Sequence, residues 1–131
     1  MAVSTDDYVA VADHLARYCH RVDDGDEDGW TALWTADGIF TGVSPEPIVG
    51  REALKSIPRM IAGAKTRHLI ACLACDYVDG HPDRILATYY NHVTNWLDGC
   101  KPVCMATCRV ELVRNGHGWL VARNDSELFP G

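Results

Sequence analysis

An α+β fold, with helices gathered before an antiparallel meander, is predicted from three observations. Apolar residues recur at spacings of three and four ahead of Gly25. Residues 66–128 hold four long runs rich in β-branched and aromatic side chains. Short turns bearing Gly, Asn or Asp part those runs. Helices followed by a meander place the helices on one face of a curved sheet. With 131 residues, 47% of them apolar and 23% charged, the chain supports one packed domain over 1–131.

The first helix opens at Ser4-Thr5-Asp6-Asp7, a cap followed by acids where the helix dipole favours them. Tyr8, Val11, Ala12, Leu15, Tyr18, Cys19 and Val22 then form one apolar stripe of about five turns. Gly25 supplies a left-handed stop after Asp24. A short second helix is expected from Asp26 through Trp34, a turn at Ala36-Asp37-Gly38, and a first strand over 39–43. Ser44-Pro45-Glu46-Pro47 ends that strand. A third helix opens at Gly50-Arg51-Glu52-Ala53-Leu54 and runs to about Ala64, with Pro58 predicting a kink or a late start. Strands are expected over 66–78, 84–97, 103–114 and 119–128. Turns are read at Gly80-His81-Pro82-Asp83, Asp98-Gly99 and Asn115-Gly116-His117-Gly118.

Composition excludes several functions. A net charge of −6 gives a nucleic acid no general electrostatic support. No apolar run approaches the roughly 20 residues that span a bilayer. The opening MAVSTDDYVA does not read as a secretory signal, so a cytoplasmic location is expected and the six cysteines are read as reduced thiols. The acid cluster from Asp23 to Asp28 fails as a calcium loop, because Thr35 stands where a bidentate Glu is needed. Cys100, Cys104 and Cys108 stand about 13 Å apart in successive steps along a strand, too far to share one ion. No metal or cofactor is expected, and no phosphate loop or serine-hydrolase elbow is present.

Four residues invite chemistry. Asp23 falls in the last turn of the first helix, on the flank of its apolar stripe, where it is either a proton acceptor awaiting a partner or a surface cap. His68 shares a strand face with Thr66, Ile70 and Cys72. An aspartate beside it fixes the imidazole tautomer and makes it a competent general base near neutral pH. Tyr18 flanks the same helix stripe and offers a hydroxyl. On the last strand Trp119, Val121 and Arg123 share a face; if that face is concave, Arg123 is a cation at the back of a pocket. Asn91 and His92 point to opposite faces, so at most one of them lines it.

Taken in order, Tyr18, Asp23, Gly25-Asp26-x-Asp28-Gly29-Trp30, Leu33-Trp34-Thr35-Ala36-Asp37-Gly38, Gly50-Arg51-Glu52-Ala53-Leu54, Thr66-Arg67-His68, and Gly118-Trp119 with Arg123 resemble the SnoaL-like branch of the NTF2-like superfamily. The resemblance spans nearly the whole chain. It implies a cone-shaped α+β barrel, a strongly bent sheet wrapped round the first helix with a deep apolar pocket inside. Scytalone dehydratase, a bile-acid dehydratase and a hexachlorocyclohexane dehydrochlorinase belong to this branch, and an Asp–His pair matching Asp23 and His68 removes a proton there during elimination. Tyr18 matches a tyrosine of the bile-acid enzyme, and Arg123 an arginine on the last strand. Scytalone dehydratase has a Tyr where Val22 stands, and the base of ketosteroid isomerase falls on Gly42 here.

The resemblance implies a cofactor-independent lyase or isomerase acting on a small, largely apolar cyclic, polyketide-like or steroid-like molecule. Its catalytic residues are His68, Asp23, Tyr18 and Arg123; its expected substrate contacts are Trp34, Phe40, Cys72 and Asn91. The alternative is a binding or assembly subunit, as in the β-subunits of ring-hydroxylating dioxygenases, motivated by Tyr89, Tyr90, Trp96 and Trp119 on the meander. A homo-oligomer, dimer or trimer, is expected in either case, because Val110 and Leu112 are read as facing outward and needing cover.

Overall fold

A computed structural model describes residues 2–97 and 99–129. Helix α1 covers Thr5–Asp23, and its Ser4 cap accepts from the Asp7 amide. Helix α2 covers Glu27–Thr31, capped by Asp26, whose side chain accepts from Gly29 N. Strand β1 is Trp34–Thr41 and β2 is Ile48–Val49. Helices α3 (Arg51–Leu54) and α4 (Ser56–Ile61) follow, then the meander β3 (Thr66–Val78), β4 (His81–Asn95), β5 (Lys101–Asn115) and β6 (Gly118–Phe129). The strands form one sheet ordered β2-β1-β6-β5-β4-β3, antiparallel except where β1 runs parallel to β6. β2 and β3 are its two edges, so the cone is an open sheet with the helices on its concave face.

The differences from expectation have local causes. The second helix ends at Thr31, and Ala36-Asp37-Gly38 is a register break inside β1, which starts at Trp34 and not at Ile39. The third helix divides at Lys55. In a continuous helix the N–H of residue 58 bonds the carbonyl of Leu54; Pro58 has none to give, and it sits instead in the first turn of α4. The β3–β4 turn is only Asp79-Gly80, both at positive φ, while His81, Pro82 and Asp83 already belong to β4. Of the expected turn Asp98-Gly99, Asp98 lies outside the described residues.

Val11, Leu15, Tyr18, Cys19 and Val22 of α1 are buried against the concave face, which presents Ile85, Ala87 and Tyr89 of β4, Ala106, Cys108, Val110 and Leu112 of β5, and Trp119 and Val121 of β6. Val110 and Leu112 thus face the core, contrary to the expectation that they stand outside; both are fully buried. Tyr89 and Trp119 are core residues as well, while Tyr90 and Trp96 are exposed. The outward apolar residues are others: Leu69, Met105 and Phe129 are exposed and lie in one cross-strand row with His92.

Gly25 and Gly42 are fixed by close approach. Both have positive φ. A Cβ on Gly25 would stand 2.8 Å from the Ala62 Cβ after α4, and one on Gly42 would overlap the Ser126 carbonyl oxygen at 1.7 Å. The first contact docks the end of α1 beside α4, and the second holds the end of β1 on β6.

His14 donates from Nε2 to the Leu33 carbonyl at 3.1 Å, and burial lowers its pKa from the ordinary 6.5. The neutral ring is favoured in the folded state, so the unfolded chain binds more protons as pH falls through about 6.5, and stability drops with it. Urea unfolding at pH 7 and pH 5 is expected to show this loss, and a smaller one in His14→Gln, which keeps a donor for Leu33 and cannot titrate.

Candidate active site

The end of α1 and the start of β3 bring Asp23 and His68 together. Asp23 Oδ1 accepts from His68 Nδ1 at 2.5 Å, and Oδ2 accepts from the His68 backbone N–H at 3.0 Å. Two donors on one carboxylate answer the unfavourable helix-end dipole that the sequence position implied. They also fix the ring: with the Nδ1 proton on Asp23, Nε2 is left as the basic nitrogen. Nε2 has no hydrogen-bond partner among the described residues. Side-chain exposure is 5% for Asp23 and 14% for His68, so the pair is sheltered from water while the imidazole stays reachable.

Two spaces border His68. An inner cavity of about 170 Å³ lies between the sheet and helices α1, α2 and α4. A shallower outer groove of about 480 Å³ runs between α1 and β3 along Ala12, Ala16, Leu69 and Leu73, and Asp23 borders it. The inner cavity is walled by apolar residues, among them Val22, Phe40, Ile57, Ile61 and Val93, with Asn91, Asn124, Ser126, Tyr18 and Cys104 as its other polar groups. The apolar walls of the inner space strengthen every polar contact made inside it.

Tyr18 stands at the centre of a short relay. Ser126 Oγ donates to Asn124 Oδ1 at 2.8 Å, and Asn124 Nδ2 donates to the Tyr18 oxygen at 2.9 Å. The phenol therefore accepts from the protein, and its own proton has no acceptor among the described residues. Burial holds the Tyr18 pKa well above 10, opposed in part by Asn124, so it remains a neutral donor.

Three expected site residues fall elsewhere. Arg123 is exposed and pairs with Asp125, whose carboxyl it holds below the usual range. A bulge at Ala122 explains it: Val121 opposes Leu112 while Arg123 opposes Glu111, so the inward parity passes from Val121 to Asn124. Cys72 is exposed at φ 56°, in a second bulge where Ala71 opposes Tyr90 and Ala74 opposes Thr88. Beyond that bulge Cys75, not Cys72, points inward. Trp34 is fully buried behind the cavity wall, its ring centroid 5.3 Å from Trp30, 6.0 Å from Tyr18 and 6.1 Å from Phe40. Trp30 lines the cavity in its place. Phe40 and Asn91 line it, and His92 faces away. Strand alternation misses Asn124 and Ser126, because only a known bulge aims them inward.

Among the described residues no group of three or more His, Cys, Asp or Glu is placed to hold a metal ion. No helix is long and apolar enough to cross a membrane.

This architecture is that of the NTF2-like proteins with a cystatin-like fold. One such protein from Novosphingobium aromaticivorans superposes with a TM-score of 0.81 at 23% identity, over 96% of this chain and 84% of that one. Aln2 from a Streptomyces species gives 0.85 at 25% identity, covering 97% and 94%. A Catenulispora acidiphila protein solved in complex with S-DNPA gives 0.80 at 27%, covering 95% of each chain. Within that architecture the chain belongs to the SnoaL-like domain family, whose model matches residues 3–125. No curated protein is a significant sequence match.

Proposed function

We propose that this protein is a cofactor-independent lyase or isomerase that removes a carbon-bound proton from a small, largely apolar cyclic molecule in the inner cavity. The observation that carries the reading is the 2.5 Å contact between Asp23 and His68 at the wall of an apolar cavity. His68 Nε2 takes the proton, Asp23 stabilises the imidazolium that forms, and the Tyr18 hydroxyl donates to the oxygen on which negative charge develops. Elimination completes when the carbon–leaving-group bond breaks, and isomerisation when the proton returns to another carbon. That the similar Catenulispora acidiphila protein was solved in complex with S-DNPA supports a ligand-holding reading. An open cavity beside a formed dyad favours catalysis over a purely assembling role.

The test needs no natural substrate. In 5-nitrobenzisoxazole a base removes the ring C–H, the N–O bond breaks, and a coloured cyanophenolate is released. The wild-type protein should open this ring, and His68→Ala should not do so above the buffer rate. Equal rates in the two proteins would defeat the proposal.

A further inference from the structure

The relay that ends on Tyr18 extends into the core behind Ser126. Cys108 Sγ lies 3.3 Å from Ser126 Oγ, and the Tyr89 hydroxyl hydrogen-bonds the same sulfur. Tyr89 of β4, Cys108 of β5, Ser126 and Asn124 of β6 and Tyr18 of α1 thus form one chain of hydrogen bonds. Its two ends differ. Tyr18, Asn124 and Ser126 line the inner cavity, whereas Cys108 is 1% and Tyr89 2% exposed, and neither lines it.

Each hydroxyl and the thiol carries a single proton, so such a chain has only two directions. In one, Tyr89 donates to Cys108, Cys108 to Ser126, Ser126 to Asn124 Oδ1, and Asn124 Nδ2 to Tyr18. The spare proton is then that of Tyr18, at the cavity, and this is the direction the Asn124 contacts take. In the other, the amide turns over, Tyr18 donates to its oxygen, and the spare proton is that of Tyr89, in the core. A hydroxyl left without an acceptor in a dry core is disfavoured about tenfold or more, while one at a cavity can meet water or a ligand. Without the two core members the choice is lost, because the remaining piece from Ser126 to Tyr18 has both ends on the cavity.

Extending the catalytic reading above, on which it rests for the use made of the Tyr18 hydroxyl, we infer that Cys108 and Tyr89 are positioning residues that aim the whole chain at the cavity and keep Tyr18 a donor there. They act through Ser126 and Asn124 and touch no ligand. Burial raises both the Tyr89 hydroxyl and the Cys108 thiol above their ordinary pKa, so each keeps the proton that the chain needs.

Carbon NMR of protein labelled at tyrosine Cζ, set beside the kinetics of 5-nitrobenzisoxazole ring opening, tests the assignment. Tyr89→Phe keeps the ring that fills the core and removes only the hydroxyl; Cys108→Ala cuts the chain at its middle. Each should move the Tyr18 resonance and lower kcat about twofold at unchanged KM, since Tyr18 then holds the spare proton about half the time. Cys108→Ser keeps a hydroxyl link and should restore both wild-type values. In a Tyr18→Phe background Tyr89→Phe should lower kcat no further, whereas a merely structural loss would add. A Tyr18 resonance unmoved by Tyr89→Phe and Cys108→Ala, a Cys108→Ser protein displaced as far as Cys108→Ala, an unchanged kcat in Tyr89→Phe, or losses that add to that of Tyr18→Phe would each overturn the inference. The resonance does not depend on turnover. If it moves and recovers as stated while His68→Ala opens the ring at the wild-type rate, only the catalytic reading falls; if ring opening needs His68 and the resonance stays fixed, only this inference does.

Discussion

Replacing His68 with Ala is expected to lower the rate of 5-nitrobenzisoxazole ring opening by about 10²- to 10⁴-fold, the usual worth of a positioned general base. Nothing else that lines the inner cavity can take over. Tyr18 is held protonated by burial, and burial also raises the Cys104 thiol. Asp23→Asn should cost a comparable factor for a different reason. Asp23 accepts from two N–H groups of His68, through one oxygen each. An amide has a single oxygen, and its NH₂ group set against Nδ1 favours the tautomer with the proton on Nε2, where the base must be free. Both variants should unfold close to the wild-type denaturant midpoint if the loss is chemical. A rate unchanged in either variant contradicts the assigned roles.

Trp34→Ala is expected to destabilise the fold by about 3–5 kcal/mol in urea unfolding, the range for deleting a large buried aromatic ring. Trp34 is fully buried at the centre of a cluster with Tyr18, Trp30 and Phe40. Its ring also fills the space beside Gly38, where a Cβ would stand 2.5 Å from Cε3. Trp34→Phe keeps an aromatic filler, so it should lose less stability and leave the KM for 5-nitrobenzisoxazole unchanged, since the cavity wall is Trp30 and Phe40. A KM raised tenfold in a Trp34→Phe protein of wild-type stability would place Trp34 in the cavity after all.

Much of this site is legible in the chain because α1 is regular. The three-and-four spacing from Val11 to Val22 sets the buried face, and its continuation places Asp23 at the flank where β3 begins. His68 sits only two residues into β3, before any irregularity, so alternation orients it correctly. Parity fails farther along the strands. A bulge inserts one residue and turns every later side chain to the opposite face. Neither Ala122 nor Cys72 carries a mark of it, since each is an ordinary strand residue in sequence, and Cys72 adopts φ 56° without being a glycine. Alternation therefore puts Arg123 inside and Asn124 outside, and the relay from Ser126 through Asn124 to Tyr18 is invisible to it. Trp34 fails differently. Its place in the Leu33-Trp34-Thr35 run suggests helix, yet its carbonyl accepts from Arg51 Nε at 3.1 Å and it pairs with Val121 on β6, long-range contacts that local spacing does not encode.

The most direct measurement on the dyad is the long-range ¹H–¹⁵N spectrum of the His68 ring at pH 7.5, recorded for the wild-type protein and for Asp23→Asn. In the wild-type protein a protonated Nδ1 and an unprotonated Nε2 are expected, and in Asp23→Asn the proton should move to Nε2. A wild-type ring protonated at Nε2 alone, or one whose two nitrogens are unmoved by the loss of the Asp23 carboxylate, would contradict the account.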